Sequence, residues 1–354
     1  MDRDLLSRMQ ACLLGVKIGD AMGMPWETMS PEQILEATDG IGVTGFHRPV
    51  QRGIRSTMGL EAGDSTDDWQ LTAVLAESLI RCRGFNLTDI AIAHVEAFRK
   101  DSFGWGRTTR TAIGDIERYF DSRGKSGRAP WVPAPLQKQG SCGNGVAMKI
   151  APLALWHAPS TRGAGSQIGL ARFDLVQKEA LELGLMTHAD IMASISGLAI
   201  IDTIGRAISC GIRKESIDLG IASRMDRIGD DLKRTAYGAD DRVTMSGQLK
   251  RIFDEGLLSD PVALRERIGT GCFALESVPF AIATFLRHPT DFRAGVLEAI
   301  DAGGDTDSTA SMVGALIGAN CGLDAIPDEW KNFRSEFQEP LELGERLYRA
   351  AAVP

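Results

Sequence analysis

The sequence predicts an all-α fold, on two observations. Apolar residues recur three and four positions apart along most of the chain, as at Leu71, Val74, Leu75 and Leu79, and this spacing places them on one face of a helix. Alternating runs of β-branched and aromatic residues, which are typical of strands, hardly occur, and the only fragments of this kind lie near residues 44–47. We therefore expect core-facing helices along the chain.

The individual helices can be placed in chain order. The segment Ser30-Pro31-Glu32-Gln33 has the form of a capping box with proline at the first helical position. Helical periodicity then predicts helices over 67–79, 175–186, 191–208, 278–286 and 308–319. The apolar segment 191–208 is interrupted by Asp202 and Arg206 and falls short of the roughly 20 apolar residues that span a bilayer. We expect it to be a core helix, with no membrane contact.

The composition is that of a folded globular protein. The chain has 354 residues, of which 44% are apolar and 24% are charged. Helical patterning resumes on both sides of a Gly/Pro/Ser-rich stretch at 121–166, which favours a single domain over residues 1–354. That stretch holds six Lys or Arg against one Asp, and we call it the basic island. Its charge suits a small anionic ligand.

The overall charge and the cysteines limit the possible partners and the compartment. The net charge is −8, so no DNA-binding surface and no face for an anionic membrane is evident. The six cysteines are scattered singly, as in a reduced cytosolic protein. The N-terminus lacks a basic segment followed by an apolar one. We expect a cytoplasmic protein and a monomer.

Glycine is over-represented, at 39 of 354 residues against a usual share of about 7%. Part of the excess lies in the basic island and part between Gly15 and Glu27. Small residues in this second segment allow close backbone approach, and the turn at Gly23-Met24-Pro25 would project Glu27 into a site. The alternative is a solvated glutamate at a helix end.

Two further acidic motifs each begin a helix: Ser65-Thr66-Asp67-Asp68 and Gly303-Gly304-Asp305-Thr306-Asp307-Ser308. These residue types are also the preferred helix caps, so capping is the alternative for each motif. Adjacent carboxylates repel unless a cation lies between them, and hard divalent cations take carboxylate, hydroxyl and water oxygens. A calcium EF-hand is excluded because its loop pattern is not matched. Together the motifs supply enough ligands for two octahedral ions.

These motifs, together with Gly19–Glu27 and the loop Gly140–Met148, resemble the ADP-ribosylglycohydrolase family, which includes dinitrogenase-reductase-activating glycohydrolase and ADP-ribosylarginine hydrolase. The segments occur in the family's order and spacing over about 10–322, which leaves a helical C-terminal tail at 323–354. The resemblance implies an all-α fold and a centre of two divalent cations, Mg²⁺ or Mn²⁺. It also implies an ADP-ribosylated protein as substrate, most directly an ADP-ribosyl-arginine, and ADP-ribose as product.

The resemblance also implies a role for each matching residue. Thr66, Asp67 and Asp68 would hold one side of the metal pair, and Asp305, Asp307 and Ser308 the other. Glu27 resembles the family's acid/base glutamate and, with Asp67 and Asp307, would form the catalytic group. The resemblance implies that the substrate-binding residues are Ser141, Gly143, Asn144, Gly145 and His188. Trp105 is a further aromatic candidate.

Glycine-rich backbone running into a helix N-terminus independently favours phosphate binding by the loop at 141–145. For His188 and Trp105 the alternative is a core position.

The sequence departs from the family pattern at two places. Trp69 follows Asp68 where relatives commonly have a second threonine, and Cys142 stands where some relatives have an aromatic residue. Asp101 is an alternative to Glu27 as the acid/base group. Three other functions remain open: a relative that binds ADP-ribose without turnover, a hydrolase of serine-, nucleobase- or small-molecule-linked ADP-ribose, and a helical metal phosphohydrolase, although no histidine is followed by Asp.

Overall fold

The computed structural model describes residues 2–49, 59–122, 141–161, 170–212, 226 and 244–352. Within these residues all regular secondary structure is helical, and the one β-bridge is isolated, between Gly143 and Phe273. The all-α prediction is confirmed, and the fragment at 44–47 is not a strand. The described α-helices are Arg3–Gly23 (α1), Pro31–Ala37 (α2), Asp67–Cys82 (α3), Leu87–Lys100 (α4), Arg107–Asp121 (α5), Ala151–Thr161 (α6), Leu170–Thr187 (α7), Ile191–Cys210 (α8), Met245–Asp254 (α9), Pro261–Ile268 (α10), Ala274–Arg287 (α11), Phe292–Asp301 (α12), Thr306–Cys321 (α13), Asp328–Lys331 (α14) and Glu339–Ala351 (α15).

The predicted helices are present, with ends that local caps decide. At α2 the Ser30 hydroxyl accepts the Gln33 N–H, and the Gln33 side chain accepts the Ser30 N–H, so the capping box is confirmed. The segments predicted at 67–79, 175–186, 191–208, 278–286 and 308–319 lie within α3, α7, α8, α11 and α13. The start of α8 is fixed by the Asp190 side chain, which accepts the N–H groups of Met192 and Ala193.

The centre of the fold is the pair α1 and α13, whose backbones touch. A Cβ on Gly15 would lie 2.2 Å from the Gly314 carbonyl oxygen, and one on Gly19 would lie 2.2 Å from that of Ala310. Every residue of α13 from 306 to 320 is buried, as its small side chains predict. Part of the glycine excess therefore serves helix packing, and the close approach carries the first turn of α13 into the interior.

Gly15→Ala is expected to destabilise the protein by about 1–3 kcal/mol, the range for overpacking, even though alanine is the better helix former. Gly114→Ala in α5 is the matched control, because its Cβ would meet only an Arg118 nitrogen at 3.6 Å. That change should raise the free energy of unfolding by up to about 1 kcal/mol. Urea denaturation measures both, and a stabilised Gly15→Ala protein would contradict the contact between α1 and α13.

Around this pair, α13 also packs against α8, α11 and α12, and α1 packs against α3 and α15. By length and composition α8 is apolar enough to span a membrane, but 78% of its apolar stretch is buried inside the protein. Such burial is typical of a core helix. Asp202 in this helix pairs with Arg206.

Five of the six Lys and Arg residues of the basic island lie outside the described residues, within 123–140 and at 162, and Lys149 is its one described cation.

Candidate active site

Glu27 follows α1 after the 3₁₀ turn Met24–Trp26. Its loop is fixed to the turn before α13, because Thr28 N–H donates to the Gly304 carbonyl at 2.8 Å and Gly304 N–H donates to the Met29 carbonyl at 2.9 Å. Gly304 has a φ of +83°, a left-handed conformation that favours glycine. These two bonds hold the half-buried Glu27 beside the start of α13.

The N-terminus of α3 is capped by a residue of another helix. The carboxylate of Asp20, in α1, accepts the Thr66 N–H, the Thr66 hydroxyl and the Trp69 N–H at 2.7 to 2.9 Å. Thr66 itself makes no side-chain cap bond. Because Asp20 satisfies these donors, Asp67 and Asp68 are not the capping groups of α3, and this weighs against capping as the purpose of the motif.

The N-terminus of α13 carries the second acidic motif. Asp305 occupies the N-cap position without a side-chain cap bond, and its Oδ2 accepts the Asn144 side-chain amide at 2.8 Å. Ser308 N–H donates to Asp307 Oδ1, and the Ser308 hydroxyl donates to Asp68 Oδ2 at 3.3 Å. The last bond joins the start of α13 to the start of α3, so the two motifs form one cluster.

The cluster concentrates negative charge in the interior. Asp67, Asp68, Asp305 and Asp307 are 2 to 6% exposed, and one carboxylate oxygen each of Glu27, Asp305 and Asp307 lie within 4.8 Å of one another. Burial and then the charge of Asp307 raise the pKa of Asp68 and of Asp305 well above the usual range. The same two causes raise the pKa of Asp20 to about 6, although the hydrogen bonds that its carboxylate accepts act to lower it.

The donor set fits a hard divalent cation. Asp68 Oδ1 is buried and accepts no hydrogen bond from the residues that the structure describes. Thr66 and Ser308 add hydroxyl oxygens to the carboxylates, and all ligand types are oxygen. A cation between the two helix starts would relieve the repulsion and give the orphaned oxygen a partner.

The loop at 141–145 lies against this cluster. Ser141 N–H donates to the His188 carbonyl and Asn144 N–H to the Cys272 carbonyl, both at 3.0 Å. The amides of Gly143 and Gly145 have no acceptor among the described residues. The loop thus presents two amides beside Asn144, whose side chain touches both Asp305 and Ser277.

His188 lies beneath the loop. A Cβ on Gly145 would lie 2.9 Å from its Cε1 atom, and one on Gly143 would lie 3.4 Å from its Nε2 atom. Burial, and secondarily the charge of Lys149, lowers the pKa of His188 to about 3, so the ring is neutral at pH 7. Its Nδ1 pairs with the Thr187 hydroxyl at 2.9 Å. A side chain at Gly145 would therefore force the ring to shift, whereas a Cβ at Gly143 would make an ordinary van der Waals contact with it.

The structure places two tryptophans and Asp101 outside the carboxylate cluster. Trp105 is 3% exposed, its indole N–H donates to Gln70, and its ring packs on Phe98. This burial favours a packing role, and contact of Trp105 with substrate stays a prediction. Trp69 is buried between Lys17 and the C-terminal helix α15. Asp101 is exposed and caps its own turn through the Phe103 N–H, which favours Glu27 as the acid/base group.

Several residues near the site were not assigned a role from the sequence. Asp20 lies within a recognised motif, and its position on a buried helix face is the signal that could have found it. The segment before α11 carried no motif, yet Asp305 N–H donates to the Thr270 carbonyl, and burial and then the charge of Asp305 raise the pKa of the Cys272 thiol. Phe273, opposite Gly143 in the β-bridge, is 43% exposed. Its aromatic ring therefore lies beside the loop at 141–145, in which Cys142 stands where some relatives have an aromatic residue.

Comparison with known proteins now identifies the family. The family model for ADP-ribosylglycohydrolase matches residues 1–354 of this chain. The chain belongs to the ADP-ribosylglycohydrolase family. It is 28% identical to "ADP-ribosylhydrolase ARH3" of Bos taurus, over 97% of this chain and 93% of that protein, and 27% identical to the Homo sapiens protein of the same name, over the same shares. The solved structure of an "ADP-ribosylglycohydrolase-related protein complex" superposes with a TM-score of 0.65 at 24% identity, covering 99% of both chains.

Membership in this family makes the chain a hydrolase of glycosidic bonds that acts on ADP-ribosylated substrates and releases ADP-ribose. Metal dependence is typical of the family, and the acidic cluster of Glu27, Asp305 and Asp307 could hold an ion.

Proposed function

We propose that the chain removes ADP-ribose from a modified protein side chain with the help of two divalent cations, Mg²⁺ or Mn²⁺. The observation that carries the proposal is the joining of two buried acidic helix starts through Ser308 and Asp68, with an orphaned carboxylate oxygen between them. The proposed ligands are Thr66, Asp67, Asp68, Asp305, Asp307 and Ser308.

The ions would supply positive charge to hold the ribose hydroxyls and to lower the pKa of water near the anomeric carbon. Glu27, held by the Thr28 and Gly304 backbone bonds, is the proposed acid/base group: it takes a proton from the attacking water or gives one to the leaving atom. Its half-exposed position beside Asp305 and Asp307 supports this role, because the group must reach both cluster and substrate.

The loop at 141–145 is the proposed site for the diphosphate and the ribose. The amides of Gly143 and Gly145, which have no acceptor among the described residues, support phosphate binding, since backbone N–H groups in a turn form an anion site. Ser141 and Asn144 fix the loop, and His188 supports it from below as an uncharged group. In this arrangement the anomeric carbon of the ribose would face the carboxylate cluster.

ADP-ribosyl-arginine is the proposed substrate. A guanidinium leaving group is cationic, and Glu27, half-buried beside the acidic cluster, offers the complementary charge. The serine, nucleobase and small-molecule linkages share the same ADP-ribose half, so the acceptor side decides between them.

The test is a release assay on arginine-, serine- and nucleobase-ADP-ribosylated substrates with Mg²⁺ or Mn²⁺, and with EDTA as control. We expect metal-dependent release of ADP-ribose, fastest from the arginine adduct. Release only from another linkage would overturn the arginine assignment and retain the hydrolase. If calorimetry detects ADP-ribose binding and no adduct is cleaved, the protein binds ADP-ribose without turnover and the proposed reaction is wrong.

A further inference from the structure

Lys149 is a fully buried lysine beside the carboxylate cluster. It ends the 3₁₀ turn Ala147–Lys149, which packs against α3, α8 and α13. The preceding residue, Met148, contacts the Ser308 hydroxyl through its sulfur at 3.8 Å and accepts from the Thr72 hydroxyl through its carbonyl. The turn therefore lies between the two helices that begin with the acidic motifs.

The ammonium group of Lys149 has no direct partner in the part of the chain that the structure describes. Its side chain is 0% exposed, and Nζ makes neither a hydrogen bond nor an ion pair within 4 Å with the described residues. A buried lysine is normally paired, as Lys17 is, whose Nζ contacts Glu339 at 2.7 Å and the Glu336 carbonyl at 2.8 Å. Lys149 must be stabilised by charges farther away.

The titratable groups that face Lys149 show which charge stabilises its ammonium group. Two buried histidines, His94 and His188, have their pKa values lowered to about 3 by burial and then by the charge of Lys149, so both are neutral. Burial lowers the pKa of Lys149 to about 8, and the charge of Asp67 acts in the opposite direction. The ammonium is therefore mainly protonated at pH 7, and its compensating charge is Asp67 of the acidic cluster.

We infer that Lys149 is a built-in counter-cation of the acidic cluster, which limits how tightly the cluster binds divalent cations. The inference deepens the proposed function and rests on its metal site. A fixed positive charge offsets part of the carboxylate repulsion before any ion binds, and it repels an ion that enters. Lys149 acts on the metal affinity through Asp67 and the field, without contacting substrate.

The sign of the effect follows from charge. A neutral residue at 149 removes repulsion on each divalent ion and also makes protons compete more strongly for the carboxylates. An ion carries two charges and displaces at most about one proton, so the first effect is the larger. Loss of the Lys149 charge should tighten metal binding.

The experiment measures Mn²⁺ affinity from the free-ion electron paramagnetic resonance signal, at pH 7.5 in low salt. Lys149→Met is expected to lower the Kd for Mn²⁺ by roughly tenfold. Lys149→Gln, a polar neutral variant, serves if the methionine variant does not fold, and Lys149→Arg should keep the wild-type Kd. Lys17→Met is the matched control, because it removes a buried lysine whose charge is already paired with Glu339.

Tighter Mn²⁺ binding in the neutral variants only, with circular dichroism showing the native fold, supports the inference. A Kd that is unchanged or weaker in both neutral variants overturns the role of Lys149 while leaving the metal site intact. Absence of Mn²⁺ binding in the wild-type protein overturns the metal site, and with it this inference. Since binding is measured without substrate, neither result depends on which ADP-ribose linkage is cleaved.

Discussion

Asp307→Asn is expected to abolish metal binding and hydrolysis together. The substitution keeps the oxygen that accepts the Ser308 N–H but removes one charge from the cluster shared with Glu27 and Asp305. Loss of groups that only orient metal ligands already costs 10–100-fold in affinity, so loss of a ligand charge should weaken Mn²⁺ binding by at least about 100-fold. Elemental analysis and Mn²⁺ titration measure the change.

The same variant should be more stable than the wild-type protein when metal is absent. Burial and then the charge of Asp307 raise the pKa of Asp20, Asp68 and Asp305, and the asparagine removes that charge. The matched control is Asp291→Asn at the N-cap of α12, where asparagine caps equally well and metal content should not change. Wild-type metal stoichiometry in the Asp307 variant would refute the proposed ligand set.

The pH dependence of stability has a definite sign. The pKa of Asp20 is raised from its ordinary value of 3.8 to about 6, so its contribution to the metal-free protein is present below about pH 4 and is lost as the pH rises through 6. Asp68 and Asp305, whose pKa values are also raised, add to the same trend. The stabilisation by Mn²⁺, measured as the difference in Tm from EDTA-treated protein, should therefore increase over this range.

The sequence was sufficient for the fold class, and it identified two acidic motifs that the structure brings together in one cluster. Helical periodicity placed α3, α8 and α13, and the capping box placed the start of α2, because these signals are local. The acidic motifs were recognised for the same reason. What the sequence left open was whether Asp67, Asp68 and Asp305 serve as caps or as ligands.

That choice depends on residues distant in the sequence. Asp20, 46 positions before Thr66 in the sequence, caps α3. Asn144, 161 positions before Asp305, donates a hydrogen bond to the Asp305 carboxylate. The lack of a direct partner for Lys149 among the described residues and the exposure of Phe273 beside Gly143 likewise follow from packing between elements. The direct contact of α1 with α13, made possible by Gly15 and Gly314, sets these distances, and no local pattern encodes it.

Glu27→Gln is expected to lower kcat by about 10²- to 10⁴-fold, the usual contribution of a general acid or base. Glutamine matches the shape of the side chain and leaves the loop bonds through Thr28 and Gly304 in place, but it cannot exchange a proton at neutral pH. Because substrate binding is assigned to the loop at 141–145, KM should change little. Steady-state kinetics on the adduct that the wild-type protein cleaves fastest separates the two parameters.

The position of Glu27 also allows a different role, which the same variant tests. One of its carboxylate oxygens lies within 4.8 Å of oxygens of Asp305 and Asp307, so Glu27 could be a metal ligand. An acid/base group predicts that Glu27→Gln binds Mn²⁺ normally and loses turnover, whereas a ligand predicts that metal and turnover are lost together. Glu32→Gln, at an exposed helix start five residues later, should change neither. Wild-type turnover in the Glu27 variant would remove it from the mechanism and return Asp101 to consideration, because its carboxylate, although it caps a turn, is exposed to solvent.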